Sequence, residues 1–321
     1  MAANVNLKAD LKASSEVPPT DSKGTGSVTA TYDTASKKLS WKGSISGLSG
    51  PATAAHFHSG EVGKNGGVAV PIAGADKGAF EGSATLTDAQ AEELMWSKIR
   101  ESIVGDGKPR VSGHIAYRGV LKREDVPKDL WRPDVVLWAG PRTHFVHYPL
   151  RRGELYNLVA VFHSDHYEEG WNAEGSKDVM WQHFKMQVPQ VLRMLERIET
   201  WRMWVLCDRE PVKNWTSGRI TLLGDAAHPM LQYLAQGACM ATEDAVVLAQ
   251  KVAASPDDPA RAFKAYEQER YLRTGRTQIM ARVYGEVYHA RGVAAEIRAQ
   301  ALGARTAEES YEGIGWLYGG P

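Results

Sequence analysis

Residues 218–248 read GRITLLGDAAHPMLQYLAQGACMATEDAVVL, and the rest of the chain is best read outward from them. Ile220, Leu222 and Leu223 form a short apolar run ending at Gly224-Asp225, the pattern of a buried strand emptying into a loop. Beyond the loop, Gly237 and Ala238 open a segment in which Ala241, Ala245, Leu248 and Ala249 recur at helical spacing. Such a strand, acidic glycine turn and helix start suit a ligand carrying both hydroxyls and negative charge. The Asp225 carboxylate can accept from sugar-alcohol hydroxyls. The open N–H groups of the helix start face an electron-rich oxygen or a phosphate. Alone, Asp225 would read as a turn carboxylate capping a helix; the surrounding motif carries the ligand reading.

GRITLLGDAAHPM followed by QGACMATEDAVVLA resembles the second FAD-binding motif of the single-component (class A) flavin-dependent aromatic hydroxylases. Within that group HPMLQYLAQGACMA, the upstream THFVHYPL and the terminal GWLYGG look closest to the 3-hydroxybenzoate 6-hydroxylases, with salicylate and 6-hydroxynicotinate hydroxylases as near relatives. The resemblance runs from about residue 97 to residue 321. It implies FAD as cofactor, NADH or NADPH as co-substrate, O2, and a small aromatic acid as substrate. It also implies cofactor contacts at Gly224, Asp225, Pro229, Gln236, Gly237, Ala238 and Cys239, with backbone N–H groups of residues 236–239 facing the flavin pyrimidine oxygen.

Aromatic hydroxylation asks the protein for a held flavin, a shielded oxygen adduct and a base near the phenol; the cofactor performs the oxygen chemistry. Histidine suits the base because its pKa lies near working pH. Alternation along residues 143–148 places His144, Val146 and Tyr148 on one face and His147 on the other. The resemblance implies substrate contact at His144 and Tyr148, with His147 as second choice. A half-exposed sheet with satisfied polar groups would explain the same residues without chemistry. Gln232 stands where the relatives place a substrate-contacting residue, and is otherwise an ordinary polar loop residue. His228 reads as a brace for the loop, and Cys239 as a small packed residue rather than a nucleophile.

The remaining chain sorts into two regions. With 38 basic and 38 acidic residues, it carries no global field to draw nucleic acid or an anionic membrane. No apolar stretch approaches the roughly 20 residues of a membrane span, and the opening MAANVNLKAD has no signal-peptide core. Cys207 and Cys239 form no ligand pattern, so a reducing cytoplasm is expected. Composition changes near residue 95: only Trp41 of the ten tryptophans precedes it.

Before that point, residues 28–32 and 39–42 alternate about the turn Asp33-Thr34-Ala35-Ser36, a β-hairpin. Further short strands are expected over 54–58, 68–72 and 80–86, the spacing of a small all-β sandwich or barrel. LKASSEVPPTDSKGTGSVTATYD, LSWKGSISGLSGPATAAHFHSG and FEGSATLTDAQAEELM resemble the CHRD domain first seen in chordin. The closing strands of such domains are missing, which implies a truncated domain with an unpaired sheet edge, a liability for association; a homodimer is an expected assembly. His56 and His58 share a strand face, but no third ligand is evident, so they read as a polar face and no metal is expected.

Thr87 and Gln90 fit a capping box, and Met95, Ile99 and Ile103 continue at helical spacing, so one helix is expected across a seam near residue 96. SKIRESIVG resembles the helix that follows the Asp-Gly motif of flavin hydroxylases. Antiparallel strands are expected over 111–120, 135–138, 143–148 and 155–162, with Gly140-Pro141-Arg142 as a hairpin turn; the resemblance makes these the sheet that covers the substrate. Helical pieces follow over 176–183 and 191–198, broken near Pro189, then a strand over 203–207 and helix-rich sequence over 260–298.

A class A hydroxylase takes its FAD pyrophosphate on a strand–G-x-G-x-x-G–helix unit. No such motif occurs: Gly24-Thr25-Gly26 runs into a strand, and Gly105-Asp106-Gly107 is followed by Lys108-Pro109-Arg110, whose proline opposes a helix start. The sequence therefore reads as an α+β chimera. A CHRD-like all-β domain (1–95) precedes a partial FAD-dependent hydroxylase fold (97–321) with substrate sheet 111–162, flavin motif 218–248 and helices 260–321. Two functions follow: a flavin-dependent aromatic monooxygenase impaired by the lost motif, or a non-enzymatic β binding module fused to an inactive flavoprotein remnant.

Overall fold

A computed structural model describes residues 4–16, 20–58, 68–87, 90–91, 99–164 and 171–319. The chain divides into two compact units, Met1–Lys108 and Pro109–Pro321. The expected seam near residue 96, and the helix drawn across it, fall largely on residues outside those described; residues 99–103 are helical.

The first unit is built on an antiparallel sheet of β1 (Asn4–Lys12), β2 (Thr25–Asp33), β3 (Lys38–Ser46) and β6 (Ala79–Thr85), in the order β1-β2-β3-β6, and a separate hairpin of β4 (His56–His58) and β5 (Val68–Pro71). The β2–β3 turn forms because the Asp33 carboxylate accepts from the backbone N–H of Ala35 and Ser36, both at 2.9 Å. Alternation sends Val28, Ala30 and Tyr32 from β2 and Leu39 and Trp41 from β3 into one core with Val70 and Phe80. The strand β1, which sequence reading left unassigned, pairs with β2 along its whole length. The Thr87–Gln90 capping box is present, with Gln90 N–H donating to Thr87 Oγ1 at 3.3 Å and Thr87 N–H to Gln90 Oε1 at 2.9 Å.

The second unit carries a six-stranded antiparallel sheet: β7 (Arg110–Lys122), β8 (Val136–Gly140), β9 (Thr143–Leu150), β10 (Leu155–His163), β11 (Trp171–Gly175) and β12 (Trp201–Asp208), in the order β11-β12-β7-β10-β9-β8. Helices α1 (Lys177–Phe184) and α2 (Pro189–Leu195, with Pro189 in its first turn) cover one face. There Met180, Phe184, Val191, Met194 and Leu195 pack on Phe145, Leu158, Phe162 and Trp201. The opposite face presents Ala116, Val159 and Val161 to Leu231, Tyr233 and Ala281. Strand β10 is apolar almost throughout because both of its faces are buried.

A two-residue hairpin, β13 (Thr216–Ser217) and β14 (Ile220–Thr221), leads to the 224–236 loop and α3 (Gly237–Ala254). Then come α4 (Pro259–Tyr288), started by the Asp258 side chain accepting from Arg261 N–H, α5 (Val293–Gly303) and α6 (Ala307–Tyr318). The apolar run 220–223 is thus no buried strand. Its only described strand partner is Thr216–Ser217, so Leu222 alone is buried while Ile220 is 50% and Leu223 38% exposed. Helix α3 covers the segment expected from its helical spacing; it buries Met240, Asp244 and Val247, while Ala245 and Ala249 lie on its exposed side.

Candidate functional site

The flavin-motif loop is held from beneath by charge. Gly224 adopts φ +57°, a region that favours glycine, and its N–H donates to Asp244 Oδ2 at 3.1 Å. His228 Nε2 lies 2.5 Å from the same oxygen, and Arg270 Nε donates to Asp244 Oδ1 at 2.7 Å. Burial pushes the Asp244 carboxyl up, but the hydrogen bonds from His228, Arg270 and Gly224 outweigh it and hold the group below the usual carboxylate range. Arg270 and Arg273 of α4 also grip Glu243, at 2.7 and 2.6 Å. His228 braces the loop and has no solvent access.

Above this network the start of α3 is open. Gln236, at the N-cap, makes no side-chain cap hydrogen bond, and its side chain is buried. Asp225 is exposed beside Gly237: a Cβ placed on Gly237 would stand 3.7 Å from Asp225 Oδ1. Ala238 and Cys239 are exposed in the first helical turn, so Cys239 is not the packed residue expected; the surface it would pack against is absent among the described residues. Pro229 fixes the loop from the other side, its carbonyl accepting from Gln278 Nε2 at 3.0 Å. A carboxylate beside uncapped N–H groups fits the ribitol and pyrimidine oxygens of a flavin. A pyrophosphate would need a strand–G-x-G-x-x-G–helix unit, and the sequence contains no G-x-G-x-x-G.

Strand β9 separates its two histidines as its alternation requires. His147 lies on the helix-covered face, where its Nε2 accepts from Trp138 Nε1 at 2.9 Å and its Nδ1 meets the Tyr156 hydroxyl at 2.9 Å. His144 lies on the opposite face among Tyr233, Tyr288 and His289, with ring centroids 5.4, 5.5 and 4.9 Å away. Burial, with the nearby His114 and His163, pulls its pKa down to about 3. Gln232 begins the turn that carries Tyr233, and its Oε1 accepts from Arg118 Nη2 at 2.5 Å. His144 and the Gln232 turn therefore share one side of the sheet. Tyr148, half-buried near the end of β9, has no described contact with either.

Sequence reading missed the partners of these residues. His144 Nδ1 lies 2.6 Å from His289 Nε2, and His289 Nδ1 lies 2.8 Å from His163 Nε2. His114, directly across the strand pair from His163, is bonded through Nδ1 to the Tyr233 hydroxyl. Arg118 lies over Trp204, its guanidinium carbon 5.2 Å from the ring centroid. The one signal available in the sequence was the placing of His114 within one expected strand and of His163 one residue past the end of another in the same sheet.

The FAD binding domain family model matches residues 96–283, and the chain belongs to that family. The CHRD domain model matches residues 7–160, overlapping strands β7 to β10 of the second unit. Among curated relatives, 3-hydroxybenzoate 6-hydroxylase of Klebsiella oxytoca is 50% identical over 223 residues, covering 70% of this chain and 56% of that one. 3-Hydroxybenzoate 6-hydroxylase 2 of Aquipseudomonas alcaligenes is 44% identical over 223 residues, 70% of this chain and 69% of its own length. The chain thus spans 56% of the first relative. The fold of the second unit is shared with Klebsiella pneumoniae HpxO complexed with FAD and uric acid, at TM-score 0.61 and 23% identity, over 70% of this chain and 57% of that chain. Among the described residues no helix is long and apolar enough to cross a membrane.

Proposed function

We propose that the 109–321 unit is the substrate-binding and flavin-pyrimidine half of an FAD-dependent monooxygenase. Its substrate would be a small aromatic acid of the 3-hydroxybenzoate kind, hydroxylated para to the phenol at the expense of NADH or NADPH and O2. The bound flavin supplies the oxygen transfer. Asp225 accepts from the ribitol hydroxyls, and Gly237, Ala238 and Cys239 turn backbone N–H groups to the pyrimidine oxygen, with Pro229 and Gln236 shaping the loop. Gln232 has its carbonyl oxygen held by Arg118, which leaves its amide N–H free to orient the acid's carboxylate. Tyr148 adds a hydrogen bond at the far end of the ring.

His144 takes the phenol proton. Its Nδ1 faces His289, so the proton enters at Nε2. A proton leaving Nδ1 can pass to His289 and on to half-buried His163, so no imidazolium need persist in the buried site. The observation carrying this reading is the placement of His144 and the Gln232 turn on one side of the sheet, with Tyr233 between them. In a chain whose missing glycine-turn half has been restored, His144→Ala should cut hydroxylation about 10²–10⁴-fold, the usual worth of a positioned base, and leave substrate binding largely intact. Gln232→Ala should instead release hydrogen peroxide for each nicotinamide consumed. Full hydroxylation by the His144→Ala enzyme at neutral pH would remove His144 from the reaction.

A second reading has its own support. Ile220 and Leu223 before the flavin-motif loop and Val246 midway along α3 are exposed, so among the described residues nothing covers this apolar surface as a complete dinucleotide site would. On this reading the 1–108 unit acts as a binding module and the flavoprotein unit is inert. The setting expected for either is a reducing cytoplasm, given only two cysteines in no ligand pattern, with pairing of two chains through the open sheet edges.

A further inference from the structure

Three histidines from distant parts of the second unit meet at one point. His114 of β7 and His163 at the end of β10 are direct cross-strand partners, with ring centroids 4.1 Å apart. His289 follows the last turn of α4, its ring centroid 4.7 Å from each of the other two. Each can offer one ring nitrogen, and the three nitrogens lie within 4.8 Å of one another. A tetrahedral ion with metal–nitrogen bonds of about 2.0–2.1 Å sets its ligand nitrogens about 3.3 Å apart. The 2.8 Å between His163 and His289 has to open by about half an ångström to meet that geometry, and a pair at the 4.8 Å limit has to close by about 1.5 Å.

On His114 and His289 the outer nitrogen is already held. The Tyr233 hydroxyl engages His114 Nδ1 and leaves Nε2 as the nitrogen His114 can offer. His144 engages His289 Nε2 and leaves Nδ1 facing His163. Metal-bound imidazoles are oriented in this way, by a partner on the second ring nitrogen. A cleft of about 260 Å³, lined by Arg110, Ser112, His114, Leu231, Arg282 and Glu286, reaches His114. Both of its arginines are turned to Asp208.

We propose that His114, His163 and His289 bind a divalent transition-metal ion of the zinc class, with the fourth position left to water. The ion takes the place of the proton shared by His163 and His289, and His163 then carries its proton on Nδ1. Oxygen-seeking ions such as Mg²⁺ should not compete, because the ligand set is all imidazole. The site needs no flavin, but it shares His163 and His289 with the proton line proposed above: an ion on His289 Nδ1 leaves the ring proton on Nε2 facing His144, so the metal-loaded chain cannot use that line, and the test below reads metal rather than hydroxylation.

The test uses the full chain, without a histidine tag and stripped by chelator, titrated with Co²⁺. The expected result is one Co²⁺ per chain with the intense visible absorption of four-coordinate cobalt, bleached by one equivalent of Zn²⁺. His289→Gln should weaken binding about 100-fold or more. His163→Cys should keep the metal and add a thiolate-to-cobalt charge-transfer band, a readout that a merely misfolded variant could not give. The paired variant His56→Gln/His58→Gln should bind as the parent does. Absence of stoichiometric binding by the parent, a thiolate band already present in the parent, a His163→Cys spectrum unchanged from the parent's, or loss of binding in the His56/His58 variant would each overturn the site.

Discussion

His144 Nδ1 lies 2.6 Å from His289 Nε2, and this contact joins the buried face of β9 to the end of the longest helix. It extends through His289 Nδ1 to His163, so three imidazoles form one continuous line. In a restored enzyme His289→Gln should lower the hydroxylation rate by less than His144→Ala does, with KM nearly unchanged, because His289 acts through His144 rather than on substrate. The split of kcat against KM decides this; a His289→Gln enzyme with wild-type kcat would show that the line carries no proton.

Asp244 holds the loop, α3 and α4 together from a position with no solvent access, through His228, Arg270 and the Gly224 N–H. Asp244→Ala leaves Arg270 buried with a charge only partly matched by Glu243. Breaking a buried pair in this way costs about 3–5 kcal/mol, and urea unfolding of the 109–321 unit should show a loss of that size. A loss under about 1 kcal/mol would mean that the network does not brace the loop.

The stability contributed at His147 should depend on pH in a defined direction. Burial, then the nearby Arg132, lowers its pKa from 6.5 to about 4. The unfolded chain therefore binds a proton below pH 6.5 that the folded chain refuses, and stability present above that pH is lost as pH falls from 6.5 toward 4. The structural reason is that Nε2 accepts from Trp138, so a proton there would break that bond. Unfolding free energies measured from pH 8 to pH 5 should fall less steeply in His147→Gln than in the parent; parallel curves would contradict the assignment.

The two units have separate cores, each assembled from its own strands. Calorimetry of the full chain should resolve two unfolding transitions, and Asp244→Ala should move only one of them. A single cooperative transition, shifted as a whole, would argue for a merged fold.

Much of this was legible from local pattern. The period-2 alternation of residues 143–148 placed His144 and His147 on opposite faces, and the sheet keeps them there. Asp33 with its following small residues marked the β2–β3 turn, and Gly237 marked the helix start. What pattern could not show was context. The apolar run at Ile220–Leu223 reads as a buried strand anywhere, but burial depends on neighbouring strands, and among the described residues only Thr216–Ser217 pairs with it. His114, His163 and His289 come together only through strand register and the length of α4, neither of which local spacing encodes. Arg118 escaped because its partner Gln232 lies in a loop whose path the sequence does not specify.

The central claim is that the 109–321 unit holds half of a flavin site, in which Asp225 and the start of α3 are competent and the pyrophosphate cradle is lacking. The most direct measurement is the visible absorption of purified protein with the missing strand–glycine turn–helix half joined in front of residue 96, beside the chain as it stands. The restored protein should purify yellow with about one FAD per chain, and Asp225→Ala in it should lose most of the flavin. The present chain should be colourless. A folded but colourless restored protein, or stoichiometric FAD on the chain as it stands, would contradict the account.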